Sequence, residues 1–401
     1  MKKTYDITVI GCGLTGLSIS LALSSLGFKI AIVDPKPLDL GKRNHHDNRT
    51  TALSSGSVDF YKKINVWESI KNNACPIKKI LVEENSSSLQ SSFNSEETTN
   101  NPMGFMIKNN YLLKTLIMLA KKNKNIFKYD DKITKYFRTQ KKVLVSLEKN
   151  YSIESKLVIG ADGRNSFVRK LAKIDYKYKN YNQKAFTFDV EHEKEHNNLA
   201  IEKFLEEGPL AILPLVKEKN KNLSSVVWSC NFPNYYQLLK HGNKKIQQVV
   251  HGYFKRYYGN IKIISKIKTW DLSLIHSKKY VDHRVLLIGD AAHSIHPLAG
   301  QGFNLTIRGI KKLYLCAQKE EIISKDLGKR KYLFKYSKEH FIDASALIFV
   351  TDRLNFLFSN SNFLLKGLRR KGLQLFSKNN FIKKVFKNYA TKGNLISFKE
   401  Y

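Results

Sequence analysis

At 401 residues with 42% hydrophobic content, the chain is long enough to bury a large core and to hold two intimately joined domains. Its net charge of +35 comes mainly from lysine, spread among asparagine, isoleucine and tyrosine throughout. That pattern reads as compositional bias rather than a recognition stripe, so it argues against a nucleic-acid binder, which would explain the charge alone, and favours a membrane surface as the anionic partner. Cys12, Cys75, Cys230 and Cys316 are scattered, which argues against CxxC metal pairs and a disulfide framework and fits a reducing compartment.

In chain order, Tyr5 to Asp34 reads as a complete βαβ unit: a β-branched strand, Gly11, Gly13 and Gly16 at GxGxxG spacing, a helical run, a second strand and Asp34. The first glycine permits a tight turn, the second lets a pyrophosphate approach the backbone, and the third lets helix pack on strand. Asp34 is placed to bond a ribose hydroxyl. The uncharged run Ile7 to Phe28 after MKK also has the outline of a signal peptide or anchor. Asp6 and the three glycines speak against both, and the chain is expected to be cytoplasmic.

Asn48 to Trp67 is predicted to be a helix opened by Arg49, a position that suits either a solvated helix start or a pyrophosphate edge. Ser86 to Asn101, rich in Ser, Asn, Glu and Thr, reads as a surface loop. GFMIKNNYLLKTLIMLA then gives a strand running into a helix that carries Asn109. Leu157 to Asp162 is a buried strand closed by Asp162-Gly163 and followed by a basic helix with Arg164 and Arg169. From Tyr176 to Trp270, short apolar runs alternate with polar turns, as in an inserted antiparallel sheet.

Val285 to Gly309 combines a buried strand, Gly289-Asp290, the histidines His293 and His296, Pro297, Gly300, Gly302 and a helix beginning near Phe303. An acid at the carboxyl end of a parallel strand is placed to accept hydrogen bonds from a sugar or polyol. The glycines let backbone approach a ligand, and the helix start offers amides and the positive end of its dipole. Taken alone, the segment also reads as an ordinary strand, turn and helix.

GCGLTG, GADGRNSFVRK at Gly160 to Lys170 and GDAAHSIHPLAGQGFN at Gly289 to Asn304 resemble, in order and spacing, the three fingerprints of class A flavoprotein monooxygenases. RTTALSSGSVDFY, EKFLEEGPL with AILPL, and TDRLNFLFS resemble the ubiquinone-biosynthesis hydroxylases of the UbiH-like branch. The resemblance implies an α/β fold, with a Rossmann-like FAD-binding domain, an interleaved β-sheet substrate domain and C-terminal helices. The FAD-binding parts would be 1–75, 102–175 and 275–330, the substrate parts 76–101 and 176–274, and the helical region 331–401.

In such proteins the first glycine motif and the acid matching Asp34 hold the ADP half of FAD. Asp162-Gly163 lies near the pyrophosphate and is linked to NAD(P)H as well. Gly289-Asp290 holds the ribityl chain, and Pro297 with the turn from Gly300 through Gly302 to Asn304 borders the isoalloxazine. Arg49 and Asn109 match positions near the flavin. The implied reaction hydroxylates the ring of a polyprenylated phenol through a flavin hydroperoxide, with dioxygen as co-substrate and NAD(P)H or another electron donor. No metal is required, His293 and His296 read as structural rather than catalytic, and no other catalytic side chain is assigned.

A lipid-embedded quinone precursor would require peripheral contact with the inner face of the membrane and is compatible with a ubiquinone-biosynthesis complex. Leu364, Leu368 and Leu375 fall on helical spacing beside Lys366, Arg369, Arg370 and Lys371, as in a docked or core-packed helix. Two competing readings differ in what they explain. A dehydrogenase using NAD alone accounts for Gly11 to Asp34 and leaves Asp290 to Gly302 without a role. Another FAD-dependent oxidoreductase of the same fold, such as a reductase, an epoxidase or a different aromatic hydroxylase, accounts for both.

Overall fold

The computed structural model describes residues 2–38, 47–84, 90–94, 101–297, 300–320 and 326–358. A six-stranded sheet runs in the order Val281–Asp282, Val285–Leu287, Leu157–Gly160, Ile7–Ile10, Ile30–Val33, Ile126–Tyr129, and all neighbours but the first pair are parallel. Its four middle strands are buried along their whole length, as the unbroken apolar runs require of strands covered on both faces. On one face Ile7, Val9, Ile32 and Ile159 pack with the helices Leu14–Ser24, Asn109–Lys122 and Gln301–Glu320. On the other, Ala31, Val33, Val158 and Leu287 meet Val143, Val145 and Ile153 of a small four-stranded sheet.

The second large sheet has nine strands. From its inner edge it runs His293–Ser294, Lys268–Ser277, Tyr176–His192, Asn222–Asn231, Pro209–Pro214, Leu199–Phe204, Lys79–Glu84, Gln90–Asn94, with Ile261–Ile263 pairing off this path. Alternation divides its faces. Phe186, Phe188, Ile201, Ile212 and Trp228 pack against the helix Phe232–Tyr258, while Ala185, Thr187, Glu202, Ala211 and Val227 face an internal cavity. A three-stranded sheet of Thr50–Ser54, Gly104–Lys108 and Cys75–Ile77 contributes to the cavity wall.

Three expectations need correction. Asn48 to Trp67 is not one helix: Thr50–Ser54 is a strand paired with Gly104–Lys108, and the helix Ser55–Lys63 starts only where the Ser54 side chain caps Ser57 N–H. Within Ser86 to Asn101, Gln90–Asn94 pairs with Lys79–Glu84 as a strand. Tyr176 to Trp270 contains the 27-residue helix Phe232–Tyr258, capped by Asn231 and interrupted at Gly242, where φ is +70°. The helix expected near Phe303 is present and begins at Gln301.

Candidate flavin and substrate site

The glycine turn after Ile7–Ile10 is shaped by close backbone approaches. A Cβ on Gly11 would lie 2.4 Å from the Ala161 carbonyl oxygen, and one on Gly16 would lie 1.9 Å from that of Gly11. Gly13 is different, because a Cβ there meets nothing within 4 Å. Gly11 and Gly16 therefore serve the packing of strand, turn and helix, and Gly13 borders open space. Asp34, at the carboxyl end of Ile30–Val33, accepts from Cys12 N–H at 2.7 Å and from Lys36 N–H at 2.7 Å. That fixes its carboxylate beside the turn.

A cavity of about 1260 Å³ opens from Gly13. Its polar wall carries Arg49, Asn109, Gly163, Arg164 and Asp290, with Pro297 and the helix start Gly300 to Asn304 beside them. Gly11, Gly16, Asp34, Asp162 and Gly289 do not line it. They shape it from behind or, in the case of Asp34, lie beyond it. Asp162 accepts from Ser166 Oγ at 2.6 Å and Phe167 N–H at 2.7 Å, so it caps the short helix Phe167–Leu171. Gly289, at φ +61°, lets Thr15 sit where a side chain would project.

Asp290 faces this cavity. Withdrawal from bulk water pushes its carboxyl above the ordinary range, and the charges of Arg164 and Arg49 pull it back. Arg164 is anchored by hydrogen bonds to the carbonyl and hydroxyl of Ser273. Burial opposes the Arg49 charge, but a bidentate pair with Asp47 at 2.9 and 2.7 Å outweighs it and holds the guanidinium more firmly protonated. Asn109 accepts from Thr51 Oγ1 at 2.6 Å and donates its backbone N–H to Arg49 O at 3.0 Å.

Asn304 is spent on the protein itself. Its amide donates to Ala52 O at 2.7 Å, and its oxygen accepts from Ser54 N–H at 2.9 Å and Ser57 Oγ at 2.8 Å. It binds the Gly300–Gln301 helix start to the Thr50–Ser54 strand. At the turn before it, Pro297 O accepts from Gly300 N–H at 3.0 Å, with Gly300 at φ +61°. His293 is buried against His340 at 3.0 Å, and His296 bonds Gln183 at 2.9 Å. Burial pushes the first down to about 3 and the second down to about 4, so both are neutral members of the packing and do not line the cavity.

Away from the polar wall the cavity becomes an apolar trough. Seven consecutive strands of the nine-stranded sheet line the cavity, from Ser294 through Ile275, Thr187, Val227, Ala211 and Glu202 to Val82. Six strand spacings span about 29 Å. Met103, Met106, Leu354 and Leu357 also line this space. Sequence reasoning did not single out Asp47, Trp270 or Glu202 here. Asp47-x-Arg49 was a legible ion pair, whereas Trp270 and Glu202 reach the cavity only through strand pairing.

The residues present fit FAD. Open space at Gly13, a carboxylate and two guanidiniums on one wall, and a helix start on the next match a long ligand with an anionic middle and a polyol arm. The volume exceeds the roughly 300–1,000 Å³ of an ordinary single-ligand pocket, leaving room for a second molecule.

Comparison with known proteins agrees. Residues 4–319 match the family described as FAD binding domain. The chain is 29% identical to ubiquinone hydroxylase UbiL of Rhodospirillum rubrum, across 97% of this chain and 90% of that protein. It is 26% identical to 3-demethoxyubiquinol 3-hydroxylase of Escherichia coli, across 97% and 99%. Among solved structures, p-nitrophenol 4-monooxygenase PnpA of Pseudomonas putida superposes with a TM-score of 0.76 at 14% identity, covering 98% of this chain and 100% of that one. With its glycine turn, Asp290 wall and helix start converging on one cavity, the chain belongs to the FAD-binding domain family, on the fold of the class A flavin monooxygenases.

Proposed function

We propose that the protein is an FAD-dependent monooxygenase that hydroxylates the ring of a polyprenylated phenol in ubiquinone biosynthesis. The observation that carries this reading is the continuity of the polar wall with an apolar trough that runs four strand spacings, about 19 Å, from Thr187 to Val82, enough for a ring and a short run of isoprene units. The names of the relatives support the substrate class.

In this reading Gly11, Gly13, Gly16 and Asp34 hold the adenosine half of FAD, Asp162 and Gly163 border the pyrophosphate, and Gly289-Asp290 holds the ribityl chain. Arg49, Asn109, Pro297, Gly300, Gly302 and Asn304 frame the ring system. When bound, FAD supplies the two-electron chemistry with dioxygen, NAD(P)H or another donor providing the electrons. The chain's own groups orient the substrate, exclude water, and present the N-terminal amides of the Gln301–Glu320 helix to negative charge on the cofactor.

Among the described residues, no helix is long and apolar enough to cross a membrane. A lipid-borne substrate would be reached from the cytoplasmic face by peripheral contact. The basic, leucine-spaced segment Phe363 to Phe376 that suggests such contact lies outside the described residues.

The test uses FAD-loaded protein, reduced chemically and mixed with labelled dioxygen and a short-chain prenylphenol. One labelled oxygen atom on the ring is the expected result. Label arriving from water, or purified protein that retains no flavin, overturns the proposal.

A further inference from the structure

Glu202 is the acid on the apolar part of the cavity wall. It sits in Leu199–Phe204, whose alternation sends Lys203 to the opposite face, paired with Glu83, and leaves Ala200, Glu202 and Phe204 on the cavity. Its register partners, Val82 on one side and Ala211 on the other, are apolar. No hydrogen bond or ion pair engages its carboxylate among the described residues. The cavity's other ionisable groups, Arg49, Arg164, Tyr178, Asp271 and Asp290, leave it unshifted, and burial alone pushes it up to about 7.

An unpartnered carboxylate in a greasy trough is unfavourable unless a ligand supplies the missing donor. The row across the sheet shows where that donor must come from. Glu202 lies beside Ala211, which lies beside Val227, which lies beside Thr187, and all four face the cavity. Thr187 Oγ1 accepts from Trp270 Nε1 at 2.9 Å, and Trp270 carries Arg49. Glu202 is thus three strand spacings, about 14 Å, from Thr187, whose partner Trp270 carries the Arg49 end of the polar wall. That gap accommodates an aromatic ring.

Resting on the functional reading above, we propose that Glu202 is the receptor for a hydroxyl of the substrate ring. Its carboxylate accepts a hydrogen bond from the phenolic O–H, which fixes the ring and raises its electron density. As a ring carbon takes one oxygen atom of dioxygen, the O–O bond breaks, the donor's two electrons leave the other atom as water, and the phenolic proton shifts to Glu202. It returns to the same oxygen when the attacked carbon releases its own hydrogen as a proton to water and the ring regains aromaticity.

The experiment compares a short-chain prenylphenol with its methyl ether, which keeps the ring and tail and lacks the O–H. Binding to oxidised, FAD-loaded protein is followed by the flavin absorbance change between pH 5.5 and 8.5. The wild type should favour the phenol by about 10- to 100-fold at pH 8, and this preference should fade as Glu202 protonates below about 7. Glu202→Leu should bind both compounds alike, and Glu202→Gln should bind the phenol more weakly with no pH dependence, both with unchanged flavin content. The methyl-ether comparison on wild type needs no variant and so survives a folding failure. Equal wild-type affinity for phenol and ether, or a preference intact in Glu202→Leu, overturns the assignment. If wild type still oxygenates the phenol in that event, only the role of Glu202 falls. If wild type neither binds nor oxygenates it, the functional reading falls with it.

Discussion

Arg49 lies over the indole of Trp270, its guanidinium carbon 4.2 Å from the ring centre, while Asp47 grips its edge. A planar cation is therefore fixed on the cavity wall by stacking on one side and a fork of hydrogen bonds on the other. Lysine reproduces the charge but neither the plane nor the fork. Arg49→Lys is expected to weaken FAD binding about tenfold, read by flavin fluorescence titration. Equal affinity would place this cation outside the cofactor site.

The glycines of the first turn should separate into two classes. Gly11→Ala and Gly16→Ala force a Cβ against backbone carbonyls, and each should destabilise the apoprotein by roughly 2–4 kcal/mol or prevent folding. Gly13→Val meets no protein atom within 4 Å, and the backbone there, at φ −87°, suits any residue. Its apoprotein should melt near the wild-type temperature while binding little FAD. A Gly13→Val protein with normal flavin content would move the cofactor off this turn.

Asp290 trades folding stability for binding. Its carboxyl is raised by burial, so the folded chain holds that proton to higher pH than the unfolded chain does, and the apoprotein loses stability as pH climbs through this window. Asp290→Asn should raise the apoprotein melting temperature at pH 7 and lower FAD affinity by about tenfold or more. Melting curves with and without FAD check both halves.

The buried histidines act in the opposite direction. His293 and His296, held near 3 and 4 by burial, stay neutral when folded, whereas the unfolded chain takes up protons below about 6.5. Stability is therefore present above that value and lost as pH falls through it, by up to about 1.4 kcal/mol per pH unit for each histidine. His296→Gln should flatten the acid limb of a melting-temperature profile. An unchanged slope would show that His296 titrates alike in both states.

Glu202 predicts a further asymmetry. Raised from the usual 4.5 to about 7, it contributes stability that is lost as pH rises between those values. Glu202→Gln apoprotein should gain up to roughly 2–3 kcal/mol over wild type at pH 8 and little at pH 4.5, measured by urea denaturation.

Much of the site was legible because its parts are local. GCGLTG, GADG and GDAAHSIHPLAGQG each sit at the end of an apolar strand, and the parallel sheet brings them to one edge. The features that sequence hid depend on distant partners. TTALS in Thr50–Ser54 becomes a strand by pairing with Gly104–Lys108, and then passes into a helix without a break. The helix Phe232–Tyr258 carries a good start signal, Asn231 followed by Pro233, but Gly242 and the polar run around it blur its period. Glu202 was visible as a letter in EKFLEEGPL. Only the cross-strand row to Thr187 shows that it faces the cavity.

The strand order also sets a schedule for biosynthesis. Leu157–Gly160 lies between Ile7–Ile10 and Val285–Leu287, so one side of its ladder stays bare until the ribosome has passed residue 287. At about 5–20 residues per second, that wait after Gly160 lasts roughly 6–25 s. During it the nascent chain displays a fully apolar strand edge, the kind of surface that pairs with other chains. Asn304 comes later still, and only then is Ala52 tied to the helix start. The cofactor pocket is consequently a late product of folding, closed only once Asn304 has left the ribosome.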